Sequence, residues 1–284
     1  MLLSSAAAGA GDKSFERVVP AAPRGVVDVS NVSGTVTVSG WDRPEVSVRA
    51  ELGEGVERVD VSTDHGRTNI KVVLPHSPIH NGDCDLRVQI PKESELSISA
   101  VSADATTTGI LGTQRLHAVS GNITADLSGG DLELKTVSGD IKLKGRGQPA
   151  RLHVSSVSGN VLLEHGAGEL EAGTVSGTMV VTLDSARSVR VRTTSGDLRF
   201  EGKLARGADL DASSVSGDLN VRASAEGGFA YEVSTFSGDI SNCFNVTPSE
   251  HSHMPGHTLQ GTRGEGAGHV RVKTMSGDVT LCDH

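Results

Sequence analysis

"TVSGDIKLKG", residues 136–145, decides the fold, because near copies of it recur along the chain. They read "SVSGNVLLEHG" (156–166), "TVSGTMVVTL" (174–183), "TTSGDLRFEG" (193–202), "SVSGDLNVRA" (214–223), "TFSGDISNCF" (235–244) and "TMSGDVTLCD" (274–283). Aligned on serine, the anchors are Ser102, Ser120, Ser138, Ser158, Ser176, Ser195, Ser216, Ser237 and Ser276. Their spacings are 18, 18, 20, 18, 19, 21, 21 and 39. A period near 20 residues marks stacked structural units rather than one compact core.

Within a unit the side chains alternate with period two. Leu132 and Leu134 precede Ser138 in phase with Ile141 and Leu143 after it. Val189, Val191, Leu198 and Phe200 fill the same slots around Ser195, and Leu210, Ala212, Leu219 and Val221 fill them around Ser216. Charged residues such as Glu133, Lys142, Arg190 and Arg199 stand between them. Each unit is therefore two half-buried strands meeting at a Ser-Gly corner. The expectation is an all-β β-solenoid, or β-helix, with coils of 18–21 residues and a right-handed winding preferred. Gly121, Gly139, Gly159, Gly177, Gly196, Gly217, Gly238 and Gly277 are its structural turn residues, giving a tight corner or a dihedral closed to other residues.

Three parts follow in chain order. Residues 1–13 are an Ala-rich signal-peptide remnant or a disordered N-terminus, with a small-x-small site at Ala8-Gly9-Ala10. Residues 14–94 are strand-like but irregular, either a cap on the first coil or irregular coils. Residues 95–284 are the regular solenoid, and residues 244–268, rich in Gly, His and Pro, are a loop insertion that explains the doubled last spacing.

The runs of "TVSGDI", the segment "LRVQIPKESELSISAVSAD" (86–104) and the closing "SGDISNC" and "VKTMSGDVTLC" resemble the bacterial putative-adhesin family of β-strand-repeat proteins, a domain of unknown function. The resemblance implies a β-solenoid in an exported or cell-envelope protein. It supplies no catalytic residue.

Composition excludes several classes. The 284-residue chain carries a net charge of -9 with no Lys/Arg run, which argues against nucleic acid as a partner. No apolar stretch is long enough for a membrane span. Aromatic residues are only 2%, so Val, Leu, Ile and Ala must fill a narrow interior. There is no Gly-x-Ser-x-Gly elbow, phosphate loop or His-Glu-x-x-His, and no spacing singles out a carboxylate pair, so no enzyme is expected.

Four features carry candidate chemistry. Cys243 and Cys282 each stand six residues after an anchor serine, which points to a disulfide between stacked outward slots, with free thiols as the alternative. Cys84 has no partner. His251, His253 and His257 in the insertion are metal candidates or a plain flexible loop. Asp197, Asp218 and Asp239 belong to a recurrent acid after Ser-Gly, with Asp140 and Asp278. They either cap turns or, stacked, bind calcium; no other cofactor is implied.

The functional expectation is a non-enzymatic, exported module of the periplasm or cell surface, structural, adhesive or protein-binding. Its partner would be an envelope protein or glycan, with self-association through the solenoid ends as a further route. The alternative is a β-helix that binds or processes polysaccharide.

Overall fold

The computed structural model describes residues 14–75, 82–250 and 256–283, and every element among them is a β-strand. Residues 1–13, His251 and His253 lie outside the described residues.

The first strands are β1 (Ser14–Pro20), β2 (Val26–Trp41), β3 (Glu45–Leu52), β4 (Arg58–Asp64), β5 (Arg67–Val73), β6 (Asp83–Pro91) and β7 (Glu95–Thr108). β2 carries "NVSGT" in its middle, and its two halves diverge there. The first half pairs in parallel with β5 and the second with β6. On their other side both halves pair in parallel with β7, aligning Val29 with Ile98, Ser33 with Ser102 and Val36 with Ala105. β2 is thus a coil itself, and Ser33-Gly34 is a further copy of the corner. The antiparallel pairs β4–β5, β3–β6 and β1–β3 continue outward and cover this end of the stack.

From β7 onward each coil gives one strand before the corner and one after it. The elements are β8 (Gln114–Ala118), β9 (Ile123–Asp126), β10 (Leu132–Thr136), β11 (Ile141–Lys144), β12 (Pro149–Ser156), β13 (Val161–Ser176), β14 (Met179–Ser195), β15 (Leu198–Ser216) and β16 (Leu219–Ala225). Strands before the corner form one parallel ladder, with Leu134 between Leu116 and Val154 of the neighbouring coils. Strands after the corner form a second ladder, with Ile141 between Ile123 and Val161. The inward residues read from the repeat are all buried: Leu132, Leu134, Ile141 and Leu143 in one coil, Val189, Val191, Leu198 and Phe200 in another. Burying each such aliphatic side chain contributes about 1.5–3 kcal/mol, so four per coil hold neighbouring coils together.

The order of coils departs from chain order at the C-terminal end. The remaining strands are β17 (Gly228–Ser237), β18 (Ile240–Asn242), β19 (Ser249–Glu250), β20 (His257–Gly264), β21 (Gly268–Ser276) and β22 (Val279–Cys282). β21 lies between β15 and β17, with Val272 opposite both Ala212 and Val233. β22 lies between β16 and β18, with Leu281 opposite Val221 and Asn242. The last coil in sequence is therefore the next-to-last in space. Within the 244–268 stretch, β20 runs antiparallel along the outer edge of β17 and covers it. An aromatic cluster closes the core here: Phe229 meets Tyr231 edge-on at 6.3 Å, and Tyr231 meets Phe244 at 5.0 Å.

Candidate functional site

The corner is the feature that the chain repeats most faithfully, and its geometry follows from three small contacts. The first is a spine of glycines in close approach. A methyl group on Gly139 would lie 1.9 Å from the Gly121 carbonyl oxygen, and one on Gly159 would lie 1.8 Å from that of Gly139. No side chain fits such a gap. Gly196 is likewise 2.1 Å from the Gly177 oxygen, without a positive φ, whereas Gly217 combines the close approach with φ +147. Close stacking, rather than a forbidden dihedral, is the shared reason for glycine.

The second contact is a buried hydroxyl three residues before the glycine. The Gly139 N–H donates to Thr136 Oγ1 at 3.1 Å, and the Gly159 N–H to Ser156 Oγ at 2.9 Å. The third is a ladder made by the acid or amide after the glycine. Asp104 Oδ1 accepts the Asn122 N–H, Asn122 Oδ1 the Asp140 N–H, and Asp140 Oδ1 the Asn160 N–H, all at 2.8–3.0 Å. Asp197 Oδ1 accepts the Asp218 N–H in the same way. These oxygens cap the next coil's backbone, the turn-capping role of Asx residues.

With the hydroxyl locked inward and the glycine pressed against its neighbour, the residue between hydroxyl and serine must point out. That residue is apolar in nearly every coil. In stacking order the column runs Val32, Val101, Val119, Val137, Val157, Val175, Thr194, Val215, Met275 and Phe236. Its register is fixed by backbone bonds: the Ser120 N–H donates to Val101 O, Ser138 to Val119 O, Ser158 to Val137 O and Ser176 to Val157 O. The nine apolar members are 36–60% exposed, and only Val18, Leu111 and Val246 are comparable elsewhere among the described residues. Scattered exposed apolar residues are ordinary, whereas this row of nine, broken only by Thr194, forms an extended apolar strip on the surface.

The two flanks of the column differ in charge. Two residues before the column positions stand Lys135, Arg192 and Lys273, with His117 in one further coil and Ser or Gly in the others. Three residues after stand Asp104, Asp140, Asp197, Asp218, Asp278 and Asp239, with Asn or Thr otherwise. Beside the column, toward the cationic row, runs a shallow groove of about 490 Å³, lined by Val157, Val175, Thr194 and Val215 with Ser155, Gly173, Arg192 and Ser213 of the row itself on its far side.

The structure places the other candidates as follows. Asp197, Asp218 and Asp239 stand in one ladder with Asp278, and among the described residues no group of three or more His, Cys, Asp or Glu is arranged to hold a metal ion. His257 sits at the start of β20, opposite Thr235. Cys243 and Cys282 are bonded, with Cα atoms 4.9 Å apart. Cys282 stands opposite Arg222 in the outward slot, yet its side chain is buried rather than exposed. Cys84 is a free, buried thiol, pushed up to about 11 by burial and then by Asp85.

A second concave surface, about 870 Å³, lies over β14, β15, β21, β17 and β20. Arg190, Asp211, Glu232, Gln260, His269 and Arg271 line it. Tyr231 also belongs to its lining but is only 5% exposed, and Trp41 is engaged elsewhere by a bond from Nε1–H to Glu45 O. The surface therefore offers polar groups but no ring platform for a sugar.

The apolar column went unread in the sequence, although its signal was there. Counting in twos from Leu132 and Leu134 puts Thr136 inside and Val137 outside.

The family model described as Toastrack DUF4097 matches residues 25–186 and 77–282. The chain belongs to that family. Several solved structures are similar to nearly its whole length. A putative cell adhesion protein from Clostridium sporogenes shares 9% identity at a TM-score of 0.28, covering 96% of this chain and 100% of its own. A putative lipid binding protein from Parabacteroides distasonis shares 12% at 0.42, covering 95% and 97%. A putative adhesin from Parabacteroides merdae shares 11% at 0.35, covering 96% and 97%. At these TM-scores none of the three bears on what this chain binds. No curated protein matches it.

Proposed function

We propose that this member of the Toastrack DUF4097 family is an exported, non-enzymatic β-solenoid that serves as a structural, adhesive or protein-interaction module of the bacterial cell envelope. The winding is taken as right-handed, as parallel strand connections nearly always are. The observation that carries the reading is the exposed apolar column at the corner. A feature repeated at nine of ten coils suits an extended contact and not a reaction, which needs one constellation of unlike groups at one point. The pairing of Cys243 with Cys282 and the leader-like residues 1–13 support an oxidising compartment.

A second reading, polysaccharide binding or processing, is favoured by the 870 Å³ polar surface over β14 to β20. The lack of an outward ring there makes it the weaker of the two.

The test is retention of the purified chain on isolated bacterial envelopes. Val137→Glu and Val175→Glu should each lose retention while keeping the strand signal in circular dichroism. Equal retention by wild type and both variants would remove the column from the function. Release of reducing sugars from the envelope glycans by the pure chain would overturn the non-enzymatic reading.

A further inference from the structure

We propose that the occupant of the corner column is a second copy of this chain, docked side by side with its stack running in the same direction. The proposal rests on the reading of the column as a contact surface and adds the identity of the partner.

The first argument is shape. The column is a ridge, and the groove that touches it lies on its cationic side, between Val157, Val175, Val215 and the residues Ser155, Gly173, Arg192 and Ser213, whereas the hollow on its other side opens beyond the column, at Thr178, Asp197, Asp218 and Asp278. A two-fold axis parallel to the stack and set between ridge and groove places each copy's ridge in the other's groove. An axis across the stack would put ridge on ridge and groove on groove. The interface is then isologous and closes as a dimer.

Charge selects the same arrangement independently. The parallel axis sets the cationic row of one copy, with Lys135, Arg192 and Lys273, facing the other's aspartate row, with Asp140, Asp197 and Asp278. The crosswise axis would face aspartates with aspartates. Arg192 makes no ion pair among the described residues, while Lys135 and Lys273 reach Glu133 and Glu232 within their own chain on rotatable stems. Complementary rows of this kind fix register and orientation.

Size also fits. Ten coils at about 4.8 Å make a column about 45 Å long. A strip from the cationic to the anionic row spans five residues, about 16 Å, and so presents roughly 700 Å². Stable interfaces take about 800 Å² from each partner. Periodicity helps, since both copies repeat at the same spacing and the axis holds equivalent coils at equal height.

Sedimentation velocity of the purified full chain over a concentration series is the first measurement. A species of twice the 29.3 kDa chain mass is expected. Val175→Glu should shift it to monomer, and Val157→Thr with Val175→Thr should weaken it at least tenfold. Thr194 already occupies the column, so the threonine variants keep the fold.

Orientation is read by cysteine crosslinking. Val119→Cys and Val215→Cys, third and eighth of the ten column positions, should each link to themselves under mild oxidation. Linkage only in a mixture of the two variants would overturn the parallel arrangement. A wild-type monomer at all concentrations, or a dimer unchanged in the column variants, would overturn the proposal. A monomer that still needs the column for envelope retention would sink the second copy and leave the functional reading standing. A monomer with column-independent retention would sink both.

Discussion

The Asp218 carboxylate accepts the backbone N–H of Asp278 at 2.9 Å, although 60 residues separate them in sequence. Asp218 gives its own N–H to Asp197 Oδ1, and Asp278 Oδ1 accepts from Asp239 at 2.9 Å. Four aspartates from four separate repeats thus form one unbroken ladder, in an order set by the threading of β21 and β22. The ladder works through an oxygen acceptor and not through charge, since Asn122 and Asn160 do the same work in other coils.

Asp218→Ala should therefore cost about 1–2 kcal/mol, the worth of one hydrogen bond whose donor is left behind. Asp218→Asn keeps the oxygen and should cost less than half as much. Urea unfolding of the two variants measures the difference. Equal losses would mean that charge is what the ladder needs.

The glycine spine separates two kinds of glycine. Gly159→Ala places a methyl group 1.8 Å from the Gly139 carbonyl oxygen, so a coil must shift, at about 3 kcal/mol or more. Gly66 has φ +80 but nothing within 4 Å of its missing side chain. Gly66→Ala should cost only the left-handed backbone penalty, about 1–2 kcal/mol. Melting temperatures in that order support the stacking account, and the reverse order would remove it.

Inward and outward positions should differ as sharply. Leu134→Ala opens a cavity in a fully buried layer and should cost about 2–5 kcal/mol. Val137→Thr, three residues on in the column, should stay within about 0.5 kcal/mol. A large loss at Val137 would show that the column supports the fold itself.

Much of this was legible in the sequence because a stacked fold writes its contacts as a period. The inward slots around Ser138, Ser195 and Ser216 follow from alternation alone. Two things did not follow. Ser33-Gly34 is the same corner, but the excursion through β3 to β6 hides its spacing from Ser102. The position of β21 between β15 and β17 is invisible because Ser216, Ser237 and Ser276 carry interchangeable corners, so the local pattern fits either neighbour. At the site, the aspartates read as turn caps from their position after glycine. The column stayed hidden because an exposed valine looks, residue by residue, like any other strand residue.

Acid should probe one clamp between coils. Glu232 on β17 holds both Lys273 and Arg271 of β21. The Lys273 hydrogen bond keeps the Glu232 carboxyl below its ordinary range, against a smaller opposing effect of burial and with Arg271 adding to the lowering. A carboxyl depressed on folding adds stability that is fully present above its unfolded pKa, about 4.3. That stability is lost as pH falls through the lower folded value. Glu232→Gln should thus melt below wild type at pH 7 and converge with it in acid. Because the group is partly exposed, the gap should be small. A gap that widens on acidification would contradict the clamp.

The disulfide ties down the end coil, not the last one in sequence. Cys282 ends β22, which β16 also holds on its inner side, whereas Cys243 follows β18, whose ladder partner is β22. Removing the bridge leaves β22 paired on both sides but frees the outer coil to peel. A bridge with sequence separation 39 contributes roughly 4 kcal/mol by the chain-entropy relation. The end coil has one coil neighbour, with β20 alone along the outer edge of β17, and should be the least stable unit. Reduction, or Cys282→Ser, should therefore raise hydrogen exchange first in β17, β18 and β20, with β21 and β22 following and β10 to β12 unchanged. Exchange that rises first in β21 and β22 would mean that the last coil is the outer one and that the threading is wrong.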